Sequence, residues 1–337
     1  MIQDEKFMTL AIEEAQRGMG FTHPNPCVGA VIVKGGKVIA RGHHEKAGAP
    51  HAEVVALAKA KKNAKGATLY TTLEPCNHQG KTPPCCDAIL AAGIKRVVFA
   101  SSDPNPLVDG KGVARLEAAK VKVSRHVLRT EADALNRPFF KFMRTGLPYV
   151  TLKVAVTLDG KLATSTGDSE WVSSQASRQR VHELRAQVDA VLVGAGTVIA
   201  DDPQLTARIP KARNPVRVVL DGAGRAPKGA AVFDDQARTI LVDKPSAPKA
   251  VLQHLAQEGL LHVLIEGGAN IHQQFLDAKL FDELWVFIAP KLVGNEGITW
   301  SGNLGIEQMA NALKLELQSV ERISDDVLVR YVPGKTS

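Results

Sequence analysis

The sequence predicts an α/β protein built as two domains joined near Gly146-Leu147-Pro148. Three observations carry that expectation. Short apolar runs bounded by Gly, Asp and Asn alternate with segments whose apolar residues recur every three or four positions, the pattern of strands interleaved with helices. A length of 337 residues exceeds one ordinary domain and suits two of about 150–190. The Gly-Leu-Pro breaker separates two such alternating series, so the expected domains are 1–146 and 147–337.

In the first half, DEKFMTLAIEEAQRG reads as an amphipathic helix capped by Asp4, with Phe7, Ala11, Ile12 and Ala15 in register. VGAVIVK and KVIARG flank Gly35-Gly36, a hairpin signal. HAEVVALAKAKKN is a helix opening at His51, with Val54, Val55, Leu57 and Ala58 on its buried side. ATLYTTLEP reads as a buried strand, and Cys85, after Pro83-Pro84, opens the next helix. KRVVFAS is a strand, GVARLEAAK a helix, VKVSRHV a strand, and EADALNRPFFKFMRTG one closing helix. The sum is a mixed, largely open sheet covered by helices.

The second half opens with the strand PYVTLKVAVTLDGKLAT, turned at Asp159-Gly160. SEWVSS leads into a Ser/Thr-capped helix, QASRQRVHELRAQ. DAVLVGAGTVIADDPQLTAR is a buried strand breaking into a Gly-containing loop, and NPVRVVLDG and RTILVD are short strands. LHVLIEGGANIHQQFLDAKL reads as strand, double glycine and helix; DELWVFIAPKLVG and DDVLVRYV supply further strands. Two strand ends are glycine-rich, Gly194-Ala195-Gly196 and Gly267-Gly268, and free amides at a helix start bind phosphate. Neither is the full G-x-G-x-x-G dinucleotide fingerprint, so these loops alone leave a purely structural turn open.

Composition narrows the class. No apolar run approaches the roughly 18 residues that span a bilayer, and the start, MIQDEKF, lacks a signal-peptide hydrophobic region, so a cytoplasmic protein is expected. Four cysteines suit a reducing compartment rather than a disulfide scaffold. A net charge of +7 with only 5% aromatics and no long basic run favours phosphorylated small molecules over nucleic acid as partners.

The chemistry concentrates between His51 and Cys86. His51-Ala52-Glu53 and, further on, Glu74-Pro75-Cys76 and Cys85-Cys86 supply one imidazole, two thiolates and a carboxylate that need not bind metal. Those parts match the zinc deaminase arrangement, in which His and two Cys hold the ion and Glu moves protons. Three protein ligands, His51, Cys76 and Cys85, leave a fourth tetrahedral position for a water whose ionisation zinc brings to a pKa of about 7. The bland alternative is a closed structural zinc knot, with Cys86, His78, His43 or His44 as a fourth ligand. It gives Glu53 nothing to do. Residues two apart at a helix start point roughly 200° apart, so His51 can face the metal while Glu53 approaches a substrate from another side. Eight residues separate the thiols where the usual deaminase has two. Asn25, in the His-Pro-Asn-Pro turn, is a candidate to hold a pyrimidine edge, with a plain turn as the alternative.

HPNPCVGAVIV, HAEVVAL, TLEPCNHQGKTPPCCDAI and DPNPLVDGKG resemble the bifunctional deaminase/reductase family of riboflavin biosynthesis, the RibD family, and the matching motifs extend through TLKVAVTLDGKLAT, WVSS, GAGTVIADDPQLTAR and IEGGANIHQQFL. The resemblance implies a cytidine-deaminase-like N-terminal domain and a dihydrofolate-reductase-like C-terminal domain. It implies zinc-dependent hydrolytic deamination of 2,5-diamino-6-(5-phosphoribosylamino)pyrimidin-4-one, then NADPH-dependent reduction of the ribosyl side chain to ribityl phosphate. His44, Lys81 and Asp103 would join Asn25 at the deaminase substrate. Ala155, Trp171, Thr197, Asp201 and Gly222 would line the cofactor site, with Gly268, Ala269, Asn270, Ile271, His272, Gln273 and Gln274 around its phosphates. Lys153, Ser169, Arg185, Leu205, Arg208 and Glu266 would face the reductase substrate, Arg185 and Arg208 as phosphate clamps and Lys153 polarising the sugar carbonyl or imine. The family also implies a homodimer. Two other readings stand beside it: a tRNA or nucleoside deaminase with an appended binding domain, and a zinc-stabilised interaction protein.

Overall fold

The computed structural model describes residues 2–80, 82–104 and 110–334. The chain divides into two compact units, Met1–Gly146 and Leu147–Ser337.

Unit one runs α1 (Ile2–Gln16), β1 (Gly29–Lys34), β2 (Lys37–His43), α2 (Ala52–Ala60), β3 (Thr68–Leu73), α3 (Cys85–Ala91), β4 (Arg96–Ser101), α4 (Lys111–Ala118), β5 (Lys122–Ser124), α5 (Arg129–Leu135) and α6 (Arg137–Thr145). Its sheet has the order β2-β1-β3-β4-β5, antiparallel from β2 to β3 and parallel from β3 to β5. Phe7, Met8, Ala11 and Ile12 of α1 pack on Val31, Val33, Tyr70, Val98 and Ala100 of the strands. The helix period thus meets one face of a period-two surface. Gly42 is what brings α2 onto β2. A Cβ there would lie 2.6 Å from both Ala52 O and Ala56 N, so any larger residue would push the helix off the sheet.

Four details differ from the sequence reading. Asp4 is no cap: the helix begins at Ile2, and the Asp4 carboxylate accepts from Tyr70 Oη (2.7 Å) and from Arg96 Nη1 and Nη2 (2.9 and 2.8 Å). The buried side of α2 is Ala52, Glu53, Ala56, Leu57 and Ala60, with Ala58 exposed. The last helix is two, parted at Asn136 (φ −111, ψ 16). That residue leaves the helical path because its side chain is used elsewhere: its Oδ1 accepts from Cys27 N (2.8 Å) and its Nδ2 donates to Cys27 O (2.9 Å). The strand expected over VKVSRHV shrinks to Lys122–Ser124, since His126 and Leu128 have left-handed backbones.

Unit two runs β6 (Tyr149–Thr157), β7 (Lys161–Ala163), α7 (Gln175–Gln187), β8 (Ala190–Gly194), α8 (Ala195–Asp201), β9 (Val216–Leu220), β10 (Thr239–Val242), α9 (Pro248–Gln257), β11 (His262–Ile265), α10 (Ala269–Asp277), β12 (Glu283–Ala289), β13 (Ile298–Thr299), β14 (Leu315–Ile323) and β15 (Asp326–Pro333). The main sheet has the order β10-β9-β8-β11-β6-β12-β15-β14, parallel from β10 to β12 and antiparallel beyond. Apolar clusters cover both faces, one centred on Leu152, Leu192, Leu252 and Phe275, the other on Val191, Val219, Leu264 and Phe287. As expected, α7 is capped by Ser174, whose Oγ accepts from Ser177 N at 3.2 Å. The glycine loop after β8 is instead the short helix α8, and α9 and β14 are elements the sequence reading did not identify.

Losing the Asn136 side chain would remove both of its hydrogen bonds to the buried Cys27 backbone. Asn136→Ala is expected to lower unfolding free energy by about 2–4 kcal/mol, read as a shift of the denaturant midpoint. A shift within about 0.5 kcal/mol, the range of ordinary surface changes, would refute that role.

Candidate functional site

The first candidate site forms where two helix starts converge. His51 is the N-cap residue of α2, and Cys85 is the first residue of α3. Cys76 lies in the loop after β3. The three donor atoms lie within 4.8 Å of one another. His51 Nδ1 is 3.0 Å from Cys85 Sγ and 3.5 Å from Cys76 Sγ. Zinc–ligand bonds of about 2.0–2.3 Å at tetrahedral angles put nitrogen and sulfur ligands about 3.5 Å apart, so the trio fits that ion with little adjustment. The far side of the His51 ring is held too, with Nε2 3.2 Å from Thr82 Oγ1. That contact fixes the ring with Nδ1 toward the sulfurs.

The sulfurs are poised for a cation. The Cys76 thiol is held down to about 4, first by its hydrogen bond with Cys85 and also by His51, while the same contact pushes Cys85 up. Among the described residues no other His, Cys, Asp or Glu atom joins the trio. Cys86 Sγ turns to the carbonyls of Pro75 and Gly112. His43 faces Glu14 at 3.5 Å. His44 is engaged with Asn25 and Pro50. The closed-knot alternative therefore lacks its fourth ligand.

A cavity of about 170 Å³ adjoins the trio, lined by Asn25, His44, His51, Glu53, Glu74, Cys76, His78, Asp103 and Phe139 among others. Glu53 is buried, and burial raises its carboxyl pKa. Asn25 Nδ2 donates to His44 Nε2 (3.0 Å), and His44 Nδ1 donates to Pro50 O (3.1 Å). Burial lowers the His44 pKa, which favours the neutral ring this pattern needs. The expected residues Asn25, His44, Glu53 and Asp103 thus meet in one place; Lys81 lies outside the described residues. Sequence reasoning missed Glu74, Phe139 and Thr82. Glu74 stood two residues ahead of Cys76 and Thr82 between Cys76 and Cys85, but Phe139, far away in sequence, carried no signal.

The second candidate site lies in unit two, in two adjoining pockets of about 830 and 760 Å³. They share Leu162, Ser169, Asp201, Glu266 and Gly267 as common wall. The first pocket holds Lys153, Ala155, Trp171, Arg185, Leu205, Arg208 and His272. The second holds Thr197, Gly222, Gly268, Ala269, Asn270, Ile271 and Gln274. Both sit where ligands gather in such sheets, at the C-terminal side of parallel strands. The start of α10 offers free amides beside Gly268, where only Thr197 Oγ1 comes within 4 Å of an added Cβ, at 3.9 Å. That is a cradle able to take a dinucleotide pyrophosphate.

At the heart of the first pocket Glu266 binds two cations. Arg185 Nε and Nη2 donate to its two oxygens (2.6 and 3.1 Å), and Lys153 Nζ donates at 3.5 Å. Burial pushes the Glu266 carboxyl up, but Arg185 and Lys153 outweigh it and hold it down to about 2. Burial lowers the Lys153 pKa, with Arg185 adding to that and Glu266 opposing it. Three expectations change. Arg185, expected as a phosphate clamp, has its fork filled by Glu266 and its Nη1 donating to Thr206 O (3.2 Å), which leaves Arg208 as the exposed guanidinium of the pair. His272, expected near cofactor phosphates, is buried on the Lys153 side. Gln273 lines neither pocket, its amide donating to Asn303 O instead. Trp171 is 59% exposed and stacks under Arg178 at 4.3 Å, so it is no core aromatic.

Comparison with known proteins covers both sites. Residues 1–101 match the cytidine and deoxycytidylate deaminase zinc-binding region, and residues 148–329 the RibD C-terminal domain. The chain is 46% identical to riboflavin biosynthesis protein RibD of Aquifex aeolicus (97% of this chain, 98% of that one) and 39% identical to that of Escherichia coli (98% and 100%). Among solved structures it is similar to Acinetobacter baumannii RibD (TM-score 0.92, 41% identity, 99% of each chain). It is also similar to a diaminohydroxyphosphoribosylaminopyrimidine deaminase/5-amino-6-(5-phosphoribosylamino)uracil reductase from Thermotoga maritima (TM-score 0.93, 39% identity, 98% and 99%).

The Glu266 cluster predicts a pH signature. Its folded pKa of about 2 lies below the ordinary glutamate value of about 4.3. The linked stability is therefore present above about pH 4.3 and is lost as pH falls toward 2. The unfolding free energy of the native chain should exceed that of Glu266→Gln by up to about 3 kcal/mol near neutrality, with the gap closing between about pH 4.5 and 2.5. A gap that does not change with pH would contradict the cluster.

Proposed function

This chain belongs to the RibD family of riboflavin-biosynthesis proteins, and on that premise we propose how its residues divide the work. It is a bifunctional enzyme, a zinc-dependent deaminase and an NADPH-dependent reductase. It removes an amino group from 2,5-diamino-6-(5-phosphoribosylamino)pyrimidin-4-one and then reduces the ribosyl side chain to ribityl phosphate. The observation that carries the assignment of residues is the His51, Cys76 and Cys85 trio with buried Glu53 on the adjoining cavity.

Deamination belongs to residues 1–146. Zinc, when bound, supplies the Lewis acidity that makes water a nucleophile at neutral pH. His51, Cys76 and Cys85 hold the ion, and Thr82 keeps the imidazole aligned. Glu53 takes the water proton and passes protons to the ring nitrogen and the departing ammonia, a role suited to a buried carboxyl whose proton affinity is raised. Asn25, His44 and Asp103 orient the pyrimidine, and Lys81 meets the phosphate.

Reduction belongs to residues 147–337. NADPH, when bound, supplies the hydride. The side of the second pocket formed by Thr197, Gly222, Gly268, Ala269, Asn270, Ile271 and Gln274 would hold the nucleotide; Lys153 faces the sugar carbonyl or imine and stabilises the charge that develops there. Ser169, Leu205 and Arg208 shape the substrate end, and Glu266 with Arg185 keeps Lys153 in place. No helix among the described residues is long and apolar enough to cross a membrane. The same proposal makes the protein a cytoplasmic homodimer acting on small molecules rather than nucleic acid.

Glu53→Gln should retain one zinc per chain by elemental analysis while ammonia release falls by about 10²–10⁴; loss of the metal, or near-normal release, would count against the role of Glu53. Lys153→Met should abolish NADPH oxidation with the deaminated intermediate and leave ammonia release intact. Native mass should be about twice the 36.1 kDa of the chain.

A further inference from the structure

The second pocket of unit two runs across the sheet in the order of its strands. Its walls come from the ends of β8 (Gly194), β11 (Gly267), β9 (Gly222, Arg225) and β10 (Lys244, Ser246). With the order β10-β9-β8-β11-β6, Lys153 of β6 stands on one side of the phosphate cradle, and the ends of β9 and β10 stand on the other. A dinucleotide with its reactive ring at Lys153 and its pyrophosphate at the start of α10 must place its adenosine over β9 and β10. Two or three strand spacings, about 10–14 Å, separate β11, which leads into the cradle, from β9 and β10 at the rim.

The rim is cationic: among the described residues that line it, the charged ones are Arg225 and Lys244. The carboxylates lining this pocket, Asp201 and Glu266, lie at the opposite end, in the wall shared with the first pocket. Enzymes that take the unphosphorylated dinucleotide place an acidic side chain against the ribose 2′-hydroxyl; those that take the phosphorylated form place a basic one nearby. Two acids stand near, Asp221 after β9 and Asp243 beside Lys244; Asp243 does not line the pocket, and Asp221 is already used. Its two oxygens accept from Arg225 N and Ala226 N, each at 2.8 Å. Asp221 therefore builds the turn that presents Arg225 rather than meeting a ribose.

Packing brings the two cations to one rim. A Cβ on Gly222 would lie 2.6 Å from Pro245 N, 2.9 Å from Pro245 Cα and 3.0 Å from Lys244 C. The loops after β9 and β10 therefore touch backbone to backbone. Ser246 Oγ donates to Lys244 O at 3.1 Å, bracing the second loop.

We propose that Arg225 and Lys244 form the site for the 2′-phosphate of NADPH and make this chain prefer NADPH to NADH. The inference rests on the reductase reading above. Guanidinium and ammonium suit a phosphomonoester, the first as a fork and the second as a point charge.

The test is calorimetric titration of the full chain with 2′,5′-ADP, 5′-AMP, NADPH and NADH, for the native protein, Arg225→Ala, Lys244→Ala and the double variant. Native protein should bind 2′,5′-ADP more tightly than 5′-AMP. Each single change should weaken 2′,5′-ADP and NADPH by about tenfold, more at low salt, and leave 5′-AMP and NADH within about twofold. Retained binding of 5′-AMP and NADH shows that unit two is folded in every variant. Equal losses for phosphorylated and unphosphorylated ligands, or no loss at all, would overturn the assignment while leaving the reductase reading standing. Native protein that binds neither dinucleotide would remove that reading and this inference together.

Discussion

The deaminase half rests on a convergence constraint. Three donor atoms from separate pieces of chain must reach within a few ångströms of one another while an acid two residues from one of them reaches the cavity beside them. Helix starts meet both demands. His51 sits at the N-cap of α2 and Glu53 just inside it, so the helical rotation sends the imidazole to the sulfurs and the carboxyl into the cavity. Cys85 opens α3 behind Pro84, and its backbone amide donates to Cys76 Sγ at 3.3 Å. The sheet beneath holds the geometry, and the close approach of α2 at Gly42 sets its depth.

The reductase half solves a different problem, holding a long anionic cofactor beside a polar reaction centre. Its parallel strands end at one side, which lines up glycine turns, helix starts and cations along one groove. Charge is apportioned along it. Glu266 neutralises part of the Lys153 and Arg185 charge at the reacting end. Arg217, fully buried in β9, is compensated by Asp234 and by the carbonyls of Ala231, Asp234 and Ala237. A buried guanidinium is tolerated only when its donors are used in this way. Here it also ties down the segment between β9 and β10.

The zinc trio and its acid were legible in the sequence because residue type and spacing carry the chemistry directly. So was the alternation of strands and helices, which follows from burial periodicity. Less legible were features set by contacts distant in sequence. The cap read at Asp4 became a clasp on Arg96, a partner that no local pattern could reveal. The break at Asn136 came from its bonding to Cys27 rather than from weak helix propensity. Arg185 looked like a free phosphate ligand until Glu266, which the folded sheet brings beside it, filled its fork. The short helix α8 was hidden because its opening Ala-Gly-Thr reads as a turn by composition.

The Asn136 clamp also bears on how this protein is made. It grips the backbone of Cys27, two positions beyond Asn25, across 109 residues of chain. A nascent chain emerging from the ribosome therefore carries every zinc donor well before it can fasten the wall that Asn25 occupies. The metal donors and the fastening of that wall are thus supplied by stretches of chain synthesised at different times.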